Sequence, residues 1–218
     1  MRKKPSPPPA ASTRAAPGRP KDLAKREAIL DAAKLLFAKG GLDGTSMDAV
    51  AREAGVSKLT VYSHFADKDA LFKAAVQSKC EEQMPNALFH VDPKAPIAKQ
   101  LLGIAQGFYE LVFSAESLSL HRMMIANADH SPHLAALFFE AGPQQVLTAF
   151  EQFLREAVRA GSLQVRDTRQ AAGHFFVLIK GMEHMRHLVG GSCHNDQFDR
   201  DKHLKSVVDL FLRAFRPD

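Results

Sequence analysis

Apolar side chains recur along this chain at intervals of three and four residues, the spacing that lines one face of an α-helix. Ile29, Leu30, Ala33, Leu36 and Phe37 form one such stripe, predicting a first helix over about residues 22–39 that Gly40-Gly41 ends. Leu71, Phe72, Ala75 and Val76 form another behind Asp67, a residue type suited to cap a helix reaching to about Met84. Pro85, Pro93 and Pro96 then mark a boundary. Beyond it the periodicity predicts helices at about 96–114, 117–128, 132–160, 168–189 and 199–215. The third of these should bend at Gly142-Pro143, because proline removes a backbone donor and clashes with the preceding turn. Gly161 closes it, and no strand-like alternation bounded by hairpin turns follows. The pattern implies an all-α fold.

Between the first and fourth helices lies TSMDAVAREAGVSKLTVYSHFADK, Thr45 to Lys68, which reads as two short helices joined by a tight turn. Thr45 is placed to cap the first, with Asp48 three residues on closing a capping box. Gly55 ends that helix where the backbone must turn sharply, and Ser57 caps a second helix running through His64. Ala51, Gly55 and Val61 supply the small residue, flexible turn and apolar pin of a helix-turn-helix. Val61 and Phe65 fall at core spacing.

These residues carry a family resemblance. GVSKLTVYSHFADKDALF, from Gly55 to Phe72, is similar to the DNA-binding signature of the TetR/AcrR family of one-component bacterial transcriptional regulators. The preceding REAILDAAKLLFAKGGLDGTSMDAVAREA resembles that family's first two helices in order and spacing. The match is specific from about Lys21 to Phe72. Two later stretches, HRMMIANADHSPHLAALFFEAGP and GSLQVRDTRQAAGHFFVLIKG, resemble a family subgroup. The resemblance implies a three-helix DNA-binding domain at 21–84 and a larger helical ligand-binding and dimerisation domain at 85–218.

Charge sharpens the picture at one end. Eight basic residues stand in positions 1–26 against Asp22 alone, so with a total of +5 the rest of the chain is slightly acidic. Such a distribution fits phosphate contact through one end. Six prolines in residues 1–20, with almost no large apolar side chain, predict a disordered arm. Within it, Pro17-Gly18-Arg19-Pro20-Lys21 resembles an AT-hook core, whose Arg19 on an extended backbone could enter an A·T-rich minor groove. The bland reading is a passive tail. Cys80 and Cys193 are far apart, which suits a reducing cytosol. No apolar run approaches the roughly 18 residues that a membrane span requires.

Base edges can be reached only from the outer face and N-terminal part of the recognition helix, making Lys58, Leu59, Thr60 and Ser63 candidates. Lysine can donate to guanine, and Leu59, larger than the residue often found there in the family, can pack on a thymine methyl. Tyr62, His64 and Lys68 match family positions that typically touch phosphates, with Thr45 and Ser46 placed likewise at the start of the second helix. The alternative for each is an ordinary cap or solvated surface group, which the presence of the whole constellation disfavours.

In the second domain, Phe108, Phe113, Met123, Met124, Phe138 and Phe139 cluster on three predicted helices and could line an apolar pocket or fill a core. The resemblance implies a pocket for a small-molecule effector. Leu204, Val208, Phe211 and Phe215 form a stripe on the last helix, and Ile179 and Met182 lie on the helix before it, where Gly181 permits close approach. In similar proteins these two helices pair with their symmetry mates as a four-helix dimer interface; an intramolecular core could also use them. His174, His184, His187, Cys193 and His194 invite a metal reading, but no paired CxxC or HExxH spacing supports it, so no metal or cofactor is expected. Nucleophile elbows, Walker loops and dinucleotide fingerprints are missing, which argues against an enzyme.

The sequence therefore predicts a cytoplasmic homodimer that binds a palindromic operator in double-stranded DNA and represses transcription until an effector binds. Two rivals remain: a constitutive or nucleoid-type DNA binder, and a metal- or ligand-binding protein with a vestigial DNA domain.

Overall fold

The computed structural model describes residues 19–190 and 198–217. Ten α-helices and one short 3₁₀ turn, Asn86–Phe89, account for about three quarters of them. In chain order they are α1 (Arg19–Gly40), α2 (Met47–Glu53), α3 (Lys58–His64), α4 (Lys68–Gln83), α5 (Ile97–Phe113), α6 (Ala115–Ala126), α7 (Pro132–Ala141), α8 (Pro143–Arg159), α9 (Thr168–Leu188) and α10 (Arg200–Ala214). No described residue is in a strand.

The N-terminal helices close over a core of Ile29, Ala33, Phe37, Val50, Val61, Leu71 and Phe72, with Phe37 and Phe72 packed edge to face at 5.2 Å. Val61 and Phe65 are both buried, as their spacing predicts. This core does not end where the prolines suggested. Leu134, Leu137 and Ala141 of α7 belong to it, and Leu120, Met123 and Met124 of α6 pack against it. A second core unites α5, α8, α9 and α10 around Phe150, Phe153, Phe175 and Phe211. Helix α4 runs from the first to the second.

Several local expectations change. The first helix begins at Arg19, three residues earlier than predicted, so the expected arm through residue 20 overlaps it. Pro20 is compatible with a first turn, where its missing N–H leaves no helical bond unmade. Residues 1–18, the rest of that arm, lie outside the described residues. Ser46, not Thr45, caps α2: its side chain accepts from Ala49 N at 3.1 Å. Gly55 turns the chain at φ +66°, and Ser57 and Asp67 cap α3 and α4 through Thr60 N and Ala70 N.

The predicted bent helix at 132–160 is two helices, α7 and α8. Gly142 leaves helical geometry at φ −120°, ψ −81°, and Pro143 opens a new first turn. Helix α9 carries a break that the periodicity concealed. Gly181 sits at φ 50°, ψ −162°, a conformation closed to residues with a Cβ. The ring N–H of His203 on α10 donates to the Ile179 carbonyl two residues before the break, at 3.0 Å.

The α10 stripe faces inward. Leu204, Val208 and Phe211 are buried within the single chain, as is Ile179, and Phe215 packs on the same core beside Phe211. The expectation that these side chains form a subunit interface is thereby corrected: the stripe is intramolecular core. Met182, by contrast, is 79% exposed.

Candidate nucleic-acid interface and internal cavity

Helix α3 rests on the head through Val61 and presents its opposite face outward. Leu59 is 81% exposed, a large apolar side chain held in water beside the exposed Lys58 and Ser63. Thr60 lies half-buried, its hydroxyl 2.8 Å from that of Ser57. Ser63 donates to the Thr60 carbonyl at 2.7 Å. Lys58 reaches back across the turn to Asp48 of α2, 2.9 Å from one carboxylate oxygen and 3.0 Å from the other. The hydrogen bond to Asp48 holds the Lys58 ammonium above its ordinary pKa, so it is fully charged.

Tyr62 is exposed, and His64 and Lys68 are half-buried on the path from α3 into α4. Ser46 is exposed at the start of α2 while serving as its cap. Thr45 does not join them. It is 4% exposed, and its hydroxyl donates to the carbonyls of Gly41 at 2.7 Å and Leu36 at 3.2 Å. Its role is to close the α1–α2 turn; burial leaves no phosphate within its reach. The backbone of Arg19 lies in the first turn of α1 and not on an extended strand, which removes the conformation the AT-hook reading needs. Arg26, which the motif spacing did not single out, projects from α1 with its guanidinium 5.2 Å from the Phe65 ring centroid.

The larger core borders a cavity of about 340 Å³ between α4, α5, α6, α7, α8 and α9, with the exposed Phe139 and Val177 at its rim. Of the predicted pocket residues, Phe108, Phe138 and Phe139 line it. The other three do not. Phe113 stacks on Tyr109 at 4.0 Å and abuts His184 and His187, while Met123 and Met124 pack beneath the N-terminal core. Helical periodicity placed all six on apolar faces but could not tell which neighbour each face meets.

Sequence reasoning missed two polar residues of the wall, Lys180 and His121. The signal was a solitary lysine inside the apolar run FFVLIKGM of α9. Burial pushes the Lys180 ammonium below its usual pKa. Burial, then the neighbouring Lys180 and His184, bring the His121 imidazole down to about 4. His184 is held at about 4 as well, again chiefly by burial, with Lys180 next. The rings of His121 and His184 lie 5.5 Å apart, and His121 stands edge to face with Phe138 at 5.7 Å. Cys80 also lines the cavity, its thiol raised to about 11 by burial and by Glu81. Among the described residues no three metal-ligating side chains converge; Cys193 and His194 lie outside them.

Helices α6 and α7 border both compartments. Leu120, His121, Phe138 and Phe139 line the cavity, while Leu120, Met123, Leu134 and Phe138 pack on the head. A shallower cleft beside α1, lined by Asp31, Lys34, Phe37 and Glu116, shares Val76, Lys79, Ser117 and Leu120 with the cavity.

A helix-turn-helix head joined through shared helices to a hollow helical body is the architecture of a ligand-responsive transcriptional repressor. Residues 29–75 match the bacterial regulatory proteins of the tetR family, and residues 99–217 match the AefR-like transcriptional repressor C-terminal domain. The chain belongs to the TetR family. It is 28% identical over 158 residues to the HTH-type transcriptional regulator SrpR of Pseudomonas putida, a stretch covering 72% of each protein. Among solved structures it resembles a TetR-family regulator of Mesorhizobium loti (29% identity, TM-score 0.72, covering 89% of this chain and 98% of that one). It is also similar to the flavonoid-responsive regulator FrrA (29% identity, TM-score 0.67, covering 88% and 97%). No helix among the described residues is long and apolar enough to cross a membrane.

Proposed function

We propose that two copies of this chain bind a palindromic DNA operator, and that a small molecule in the cavity releases them. The carrying observation is the sharing of α6 and α7 between the cavity wall and the floor of the DNA-binding head. A ligand that displaces Phe138 or His121 must move helices on which α1 and α4 rest. Two further ties make that movement consequential for α4: Lys73 pairs with Glu140 at 3.0 Å and His133 with Asp69 at 2.6 Å. The cavity, and the similarity to a flavonoid-responsive regulator, favour this over a constitutive DNA binder.

In this reading Lys58, Leu59, Thr60 and Ser63 meet base edges, whereas Ser46, Tyr62, His64 and Lys68 meet phosphates. Lys58 exchanges its Asp48 partner for DNA, so the free protein keeps that cation oriented at small cost. The second copy packs on the outward face of α9 and α10, where Met182, Met185, Val189 and Leu210 are exposed. The spacing 182, 185 and 189 puts three of these on one helical face. Fluorescence anisotropy with the intergenic DNA adjoining the gene, compared with random duplex of equal length, tests the reading. Preference for the intergenic palindrome, at a stoichiometry of two chains per site or a multiple of it, is expected; equal affinity for both duplexes contradicts it.

A further inference from the structure

The cavity is apolar on most of its surface, with Phe108, Leu111, Val112, Phe138, Val146 and Phe176 among its walls. Such a lining selects for an apolar body but leaves its polar residues to be explained. No carboxylate lines the cavity, whereas two lysines do. Lys79 is committed to Glu116 at 3.5 Å. Lys180 has no such commitment: among the described residues it makes neither a hydrogen bond nor an ion pair, and its Nζ stands 5.9 Å from the Phe108 ring centroid. Lys180 is half-buried, so its ammonium is partly withdrawn from water with only a ring face beside it, and a counter-ion there would stabilise it.

His121 adds an independent observation. Its Nδ1 is shut off from solvent and has no hydrogen-bond partner, although the ring lines the cavity. A buried ring nitrogen left unpaired carries a desolvation cost that a ligand atom would remove. The imidazole is neutral at pH 7, so a tautomer with hydrogen on Nδ1 offers a single neutral donor. Ammonium and N–H together match a group with two acceptor oxygens and one negative charge.

We infer that the cavity binds an apolar molecule ending in a single carboxylate, one oxygen facing Lys180 and the other accepting from His121. This rests on the ligand-responsive reading above and names the chemical class of the effector. The carboxylate is the counter-ion that Lys180 lacks, and the aromatic and aliphatic walls take the remainder of the molecule. A volume of about 340 Å³ limits that remainder to a medium-length chain or a fused ring pair. A neutral alcohol of equal size would satisfy His121 but leave the ammonium unpaired, and an amine would add a second positive charge beside it.

Isothermal titration calorimetry with decanoate and 2-naphthoate, against decanol and 2-naphthol as neutral counterparts, tests the inference. The two carboxylates distinguish an aliphatic from an aromatic acid. At least one acid should bind roughly 10- to 100-fold more tightly than its neutral counterpart, the range of a charge-assisted hydrogen bond. Lys180→Met should abolish that preference while leaving alcohol binding within about three-fold, and Lys180→Arg should retain most of it. Because Lys180→Met replaces a half-buried charge by an apolar chain of similar length, its fold should survive, and operator affinity without ligand serves as the check. A wild-type protein that binds alcohol and acid equally, or a Met variant that keeps the preference, overturns the anionic head group. If the alcohols bind as tightly as the acids and release operator DNA, ligand responsiveness stands while this inference falls. If neither series binds nor affects operator binding, both fall.

Discussion

Ser119 Oγ on α6 donates to the Ala38 carbonyl of α1 at 2.7 Å, while His121, two residues along the same helix, faces the cavity. Ala38 lies in the last turn of α1, where carbonyls lack helical partners, so Ser119 supplies a cap from the other compartment. The DNA-binding head is therefore completed by a helix whose neighbouring side chains line the cavity. Arg122 continues the linkage, donating through Nε to the Leu188 carbonyl at 2.9 Å and through Nη2 to that of His187 at 2.5 Å at the end of α9.

Ser119→Ala should cost about 1 kcal/mol of stability, the usual worth of one hydrogen bond. Its larger consequence should be on communication. Operator affinity without ligand should stay within about three-fold of wild type, while the ratio of affinities with and without a cavity ligand shrinks. Urea denaturation and paired anisotropy titrations measure the two quantities. An unchanged ratio would remove α6 from the route.

Thr45 and Lys68 should behave oppositely, although sequence motifs group them. Thr45→Val deletes a buried donor to two carbonyls and should lower stability by about 1–3 kcal/mol without altering the salt dependence of DNA binding. Lys68→Ala should leave stability nearly unchanged, weaken cognate and random DNA alike and reduce the salt slope by about one unit; Tyr62→Phe should weaken both duplexes as well. Anisotropy over a range of potassium chloride concentrations, alongside thermal melts, checks the contrast.

Burial separates two kinds of α9–α10 substitution. Phe211→Glu places a charge in the chain's own core and should unfold the protein, not merely split a dimer. Met182→Glu, at an exposed position, should keep the fold and yield monomers with sharply weakened operator binding. Sedimentation velocity on folded Met182→Glu decides; an intact dimer would place the interface off this face.

The helical class and the helix-turn-helix were legible because both rest on local rules. Val61 is buried at its predicted spacing, and Ser57 and Asp67 cap through bonds three residues away. The errors share a different origin. Thr45 and Ser46 are adjacent and both suited to capping, and only the packing of the α1–α2 turn decides which one is buried. Phe211 and Met182 are both apolar on helical faces, yet one meets Phe175 and the other water. Periodicity reveals that a face is apolar without naming what it touches. Lys180 and His121 come from helices far apart in sequence, so their meeting in one wall required the tertiary fold.

Acid should weaken the protein through its neutral histidines. His121 titrates at about 4 when folded and near 6.5 when unfolded, so the unfolded chain binds protons first as pH falls. The stability that this group supplies is complete above about pH 7 and is lost between about 6.5 and 4, on the order of 3 kcal/mol. His184, shifted in the same direction, adds to the trend. Urea denaturation across that window should show stability rising with pH, and His121→Asn should flatten the slope. An identical slope in the variant would mean that His121 is solvated in the folded state.

The most direct test of the account joins cavity to DNA in one titration: operator affinity at fixed salt, measured with and without a ligand shown by calorimetry to occupy the cavity. Saturating ligand should weaken operator binding at least five-fold while leaving binding to random duplex nearly unchanged, because occupancy alters the placement of the two recognition helices and not their charge. Equal operator affinity in the two states, with the cavity demonstrably filled, would contradict the coupling of α6 and α7 to the head.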